Sequence, residues 1–268
     1  MKKFLTIAAS LMIAALSFSS CEKDDFSKAP ALPSVETLKI KMPQTVATKA
    51  SEPVDETDPA YTYNKCIENA LAQWNKIYET IINTPLKGFE MASQITPVQD
   101  GKQWTWSLLV GEGLATYEVD IVGTVARKHV DWEIHVSSNL WSGKTNNYAW
   151  ITGTSALDGS EGSWNIMAGP SYNVVLVTVD WTAKNHDVQS VKSTYRLDKL
   201  FGGILAAFNG SYIEYSSGAS DSAYTDTLTV HYYQEGLGFI DVFIEWNDLD
   251  GQCRIKSEAE LGDKEWHC

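Results

Sequence analysis

Basic residues are scarce in this chain: 21 Lys and Arg stand against 34 Asp and Glu, a formal charge of −13 with a pI near 4.8. A surface of that sign repels a phosphate backbone, which excludes a nucleic-acid partner. Periodic glycine and sustained heptads are missing, so collagen and coiled coil are excluded as well. Long apolar runs are missing too, except one at 4–16, which excludes a polytopic helical membrane protein. Catalytic signatures are absent: there is no G-x-S-x-G elbow, H-E-x-x-H, Walker loop or G-x-G-x-x-G. The five histidines are scattered, and Ser, Cys and His approach one another in no nucleophilic order. The sequence therefore predicts a non-enzymatic protein with no cofactor and no metal. What is present, 268 residues of which 44% are hydrophobic, suits a globular domain with a sizeable core.

Glycine and tryptophan are unevenly spread. Every glycine lies from Gly88 onward and all ten tryptophans from Trp74 onward. Residues 22–60 hold five of the eight prolines, and between Phe26 and Tyr61 there is no aromatic residue. Such a stretch buries too little apolar surface to offset its ordering entropy, so 21–60 is read as a disordered tether whose role is reach. The single folded domain is then 61–268. It opens with a helix over 61–84, in which Ile67, Ala70, Leu71, Trp74, Ile77, Tyr78 and Ile81 form one apolar stripe. Asp58-Pro59 is its expected start and Asn83-Thr84-Pro85 its expected stop.

The rest reads as strand after strand. Runs at 104–109, 115–125, 130–138, 148–154, 162–168, 173–183, 188–197, 211–216, 226–234, 238–247 and 251–257 are rich in Val, Ile, Thr, Tyr and Trp. Several alternate, as where Trp132, Ile134 and Val136 oppose Asp131, Glu133 and His135. Turn signals separate them, among them Asp100-Gly101, Asp158-Gly159, Asn209-Gly210 and Ser217-Gly218. Short connections without intervening helices imply antiparallel pairing with one wet face. The expected fold is all-β, an antiparallel barrel or strongly curved half-barrel of about eleven strands, with a two-sheet sandwich as the alternative. Asp131, Glu133 and His135 share a strand face and so resemble half a metal site, but no second His-rich cluster accompanies them and a solvated face accounts for them. Asp248-Leu249-Asp250-Gly251 likewise reads as a hairpin turn and not a calcium loop, because Trp246 and Ser257 stand where first and twelfth ligands are needed.

The N-terminus has the layout of a secretory signal peptide over 1–20: Lys2-Lys3, the apolar run, then Ser19-Ser20 and Cys21. Cys21 after small residues resembles the lipobox of bacterial lipoproteins, with Phe18 where that family usually has Leu. Glu22-Lys23-Asp24-Asp25 resembles the lysine-plus-acidic export signal of Bacteroidota surface lipoproteins. The resemblance implies a lipid on the Cys21 sulfur and a location on the outer membrane at the cell surface. Cys66, Cys253 and Cys268 then remain. Cys253–Cys268, Cys66–Cys268 or three buried thiols are all compatible with that count.

Two connections stand out. The polar stretch 138–147 carries one tryptophan, and Trp141 with Asn139, Asn146 and Asn147 is the candidate site for a glycan, the ring stacking on a sugar and the amides bonding its hydroxyls. The apolar stretch 200–208 is expected to plug one end of the core. Function is read as binding of a small molecule or glycan by a Trp/Tyr-rich β domain, for which ten tryptophans exceed what a core requires. The alternative is an accessory subunit docked on an outer-membrane protein complex.

Overall fold

The structure, a computed structural model, describes residues 27–41, 82–112, 115–138, 147–196, 209–218, 223–234, 236, 238–247, 252–257 and 265–267. A 3₁₀ turn, Val35–Leu38, and one helix, α1 (Asn83–Ala92), precede the strands. The strands are β1 (Val98–Asp100), β2 (Gln103–Glu112), β3 (Ala115–Val125), β4 (His129–Ser138), β5 (Tyr148–Ala156) and β6 (Glu161–Met167). They continue as β7 (Val175–Lys184), β8 (Asp187–Tyr195), β9 (Tyr212–Ser217), β10 (Asp226–Gln234), β11 (Gly238–Asn247), β12 (Gln252–Ser257) and β13 (Glu265–His267).

All thirteen strands form one antiparallel sheet in sequence order, each pairing only with its chain neighbours. The eleven expected strands are β2 to β12, and a three-residue strand is added at either edge. Among the described residues β1 and β13 do not pair, so the single sheet is not closed, an all-β arrangement that fits a strongly curved half-barrel or a sandwich-like fold. Register shifts after Ile134, Ile166 and Thr182 mark bulges, which bend strands and tighten the twist. Gly101, Gly159, Gly210 and Gly218 sit at positive φ in the expected turns, a conformation an L side chain resists.

Alternation decides which face is buried. On β4, Val130, Trp132, Ile134 and Val136 are at most 1% exposed, while Asp131 and Glu133 between them are exposed. Register then lines the inward positions up in rows across the sheet. One row runs Trp104, Gly123, Trp132, Gly153, Trp164, Val179, Ser193, Ile213, Val230, Val242 from β2 to β11. A second runs Trp106, Ile121, Ile134, Ile151, Ile166, Val177, Tyr195 from β2 to β8. The first row alternates indole with glycine for a steric reason. A Cβ on Gly123 would stand 2.7 Å from Cζ3 of Trp132. One on Gly153 would overlap Trp164 and the Ser163 carbonyl, and one on Gly162 would overlap Trp181. Each of these three rings lies over a bare backbone on the preceding strand.

Two features differ from expectation. Residues 27–41, placed within the tether, are packed: Leu38 and Thr37 are fully buried, and Ala29, Leu32, Val35 and Ile40 lie against the core. The stretch has no core of its own and uses that of the sheet. The expected helix stop at Asn83-Thr84-Pro85 also fails, because those residues lie within α1, which follows a helical Ile82 and buries Pro85. α1 rests on β2 and β3, with Gly88 against Val119. The signal peptide, Cys21, the remainder of the tether, helix residues 61–81, Cys66, Cys268 and the 200–208 plug lie outside the described residues, as does the Cys253 side chain.

The indole–glycine rows generate a stability prediction. Gly153→Ala should destabilise the domain by about 1–3 kcal/mol through overpacking. Gly111→Ala, with open space around its Cβ position and an ordinary φ, should be close to neutral. Urea unfolding of both variants checks this, and equal midpoints would contradict the steric account.

Candidate ligand-binding groove

The outward positions line up in rows as the inward ones do. Thr154 on β5 pairs with Ser163 on β6, then Asp180 on β7, Lys192 on β8 and Glu214 on β9. These five side chains, with Thr182 and Ser190, line a groove of about 740 Å³ on the outer face, bounded at one end by Lys128 and His129 of the β3–β4 turn. Gly162, with Ser155 and Trp181 of the buried face, also contributes to the lining. Its polar groups are partly tied to one another. The Thr182 and Ser190 hydroxyls are 2.7 Å apart, those of Thr154 and Ser163 3.4 Å, and Lys192 Nζ stands 3.0 Å from Glu214 Oε2.

Beyond Lys192 the outer face becomes aromatic. The Lys192 ammonium lies 3.7 Å over the Tyr212 ring, Tyr212 stacks on His231 at 4.7 Å, and His231 on Phe239 at 4.6 Å. Tyr233 meets Phe239 edge-on at 5.7 Å, and Asp241 Oδ1 holds His231 Nδ1 at 2.7 Å. Burial, followed by the negative charge of Asp241, raises the Tyr212 hydroxyl above its ordinary pKa, although Lys192 works against the shift. Phe239, 46% exposed, ends the stack at the surface.

A second polar cluster joins the N-terminal stretch to the sheet. Asp226, only 5% exposed, accepts hydrogen bonds from Tyr215 Oη at 2.5 Å, Thr225 Oγ1 at 2.8 Å and Lys41 Nζ at 3.3 Å. Lys41 also lies 5.7 Å over the Tyr215 ring. Burial works to raise the Asp226 carboxyl, but these hydrogen bonds and the Lys41 charge outweigh it and hold the pKa below its usual value. Tyr215 is pushed up by burial and by its bond to Asp226. A carboxylate locked ionised beside a protonated phenol is a structural clasp and not a poised base. Next to it, Ser34, Lys39, His186, Asp187 and Tyr215 surround a smaller cleft of about 290 Å³.

Trp141, Asn139 and Asn146 lie outside the described residues. Asn147 is described: exposed at φ 59°, it donates its backbone N–H to Ser137 Oγ at 2.8 Å. It sits at the opposite end of β5 from Thr154, roughly 20 Å along the strand, and does not line the groove. Asp131, Glu133 and His135 project from the outer face as expected and pair locally, His135 with Glu133 at 2.7 Å and His129 with Asp131 at 3.2 Å. No cluster of three metal-ligating side chains occurs among the described residues. The tryptophan count misled: Trp104, Trp106, Trp132, Trp164, Trp181 and Trp246 are all core. The glycines opposite three of them supply the room, so the rings are no surplus for a ligand cavity. The groove residues went unrecognised because each is an ordinary outward strand position, and only pairing brings them into one row.

The depressed Asp226 carboxyl sets a pH dependence. Its contribution is complete above the unfolded carboxyl pKa of about 4 and is lost as pH falls through the lower folded value. Asp226→Asn should therefore cost stability at pH 7 and narrow the gap to wild type near pH 3, read by urea melts at both pH values. A constant gap would contradict the clasp. Against known proteins, the chain matches no family model, and no curated protein or solved structure matches it significantly.

Proposed function

We propose that the chain is a lipid-anchored surface protein whose β domain binds a hydroxyl-rich ligand, of glycan type, in the outer-face groove between β5 and β9. The carrying observation is the in-register row Thr154, Ser163, Asp180, Lys192, Glu214 lining a groove of about 740 Å³. Hydroxyls, carboxylates and the ammonium groups of Lys192 and Lys128 around a concavity are the donors and acceptors that fix a polyhydroxylated ring. Phe239 at the end of the neighbouring stack offers an exposed aromatic edge within the same face. The side chains in the groove pair with each other, which suits recognition more than bond breaking. Membrane attachment through Cys21, at the outer membrane, rests on the signal and lipobox pattern. The polar stretch with Trp141, Asn139 and Asn146 is a candidate second contact, apart from the groove.

A different observation favours docking on an outer-membrane protein complex as the second reading. Val98 and Leu109, at one edge of the sheet, are 73% and 68% exposed. Exposed apolar groups at an edge suit a protein partner.

The two readings separate by experiment. A glycan array on the whole protein should give a binder, and Asp180→Ala with Lys192→Ala should weaken it about tenfold, the loss of roughly 1.4 kcal/mol, without lowering the melting temperature. Absence of any glycan binder, or loss of binding only on Leu109→Asp with a protein partner, would overturn the groove reading.

A further inference from the structure

The packed N-terminal stretch changes what a lipid on Cys21 would do to the domain. From Cys21 to Ser27, the first described residue, the chain advances six residues, so their Cα atoms are at most roughly 20 Å apart, whatever path the chain takes. The domain itself is larger than that: a ten-residue strand such as β2 spans about 33 Å. A tether running to residue 60 would allow a stand-off of tens of ångströms. The packed segment cancels that allowance, because it is fastened to the sheet at several points. Leu38 is fully buried, Trp164 Nε1 donates to Thr37 Oγ1 at 3.0 Å, and Lys41 bonds the buried Asp226. Residues 42–81 therefore lie between two points fastened to the same sheet, the exposed Lys41 through its bond to Asp226 and Ile82 in the core, and add nothing to the distance from the anchor.

We infer that the anchor holds the domain directly against the lipid surface, with the end carrying Ser27 within about 20 Å of the acylated cysteine. The inference rests on the proposed lipidation of Cys21. Its partner surface is the lipid headgroup layer, and its consequence is a domain whose stand-off from the membrane is limited by six residues of chain.

Neutron reflectometry of the full, natively processed protein on a supported bilayer reads the gap between headgroups and domain. The wild-type gap should be within about 20 Å. A 20-residue Gly/Ser insert between residues 26 and 27 should lift the domain by about 25 Å, while the same insert between residues 60 and 61 should leave the gap unchanged. A wild-type gap of several tens of ångströms, or equal lift from both inserts, would overturn the inference even with Cys21 shown lipidated by mass spectrometry. A protein that carries no lipid and fractionates like Cys21→Ala would overturn the anchor reading, and this inference with it.

Discussion

Trp164 is the contact on which the inner side of this sheet depends. Its ring is fully buried on β6, and it meets three separate parts of the chain. Gly153 leaves the space its ring occupies on the adjacent strand, Phe89 of α1 meets it edge-on at 5.9 Å, and Thr37 accepts its indole N–H. An indole needs both a large apolar environment and one acceptor when buried. The sheet supplies the first and the N-terminal stretch the second. Of the interactions holding that stretch, burial of Leu38, about 2 kcal/mol, outweighs the hydrogen bond to Thr37 at about 1 kcal/mol. The Lys39–Glu90 ion pair, with both side chains about a third or more exposed, contributes less than either.

Filling the inner face in this way leaves the polar residues on the outer face, where the proposed ligand groove lies. An up-and-down sheet pairs each strand with its chain neighbour, so every row on the outside collects one residue from each successive strand. Two hydroxyls followed by three charges in one such row make the groove; in the next, Tyr212 stands opposite His231, which stacks diagonally on Phe239 of β11. The same device builds core and groove. Only the chemistry of the side chains differs.

The strands were legible because alternation is a local signal: Trp132, Ile134 and Val136 against Asp131, Glu133 and His135 needs no knowledge of partners. The turns were legible where glycine must take positive φ, as at Gly159 and Gly210. The packed N-terminal stretch was not, because composition measures whether a segment can build its own core. It says nothing of a segment that lends Leu32, Val35 and Leu38 to a core already built by others. The ring count was misread for a related reason. Trp132, Trp164 and Trp181 are accommodated by Gly123, Gly153 and Gly162, a relation that exists across strands and not along the sequence. Register hid the groove in the same way.

Native-state hydrogen exchange at the N-terminal stretch tests the account most directly. The Thr37 N–H, bonded to the Ser34 carbonyl at 3.0 Å in a turn whose Thr37 and Leu38 are fully buried, should exchange with protection of the same order as the amides of β6. Thr37→Val should lower the protection of the turn and of α1 together, since both rest on Trp164. Exchange of residues 35–38 at the rate of an unstructured peptide, with β6 still protected, would contradict it.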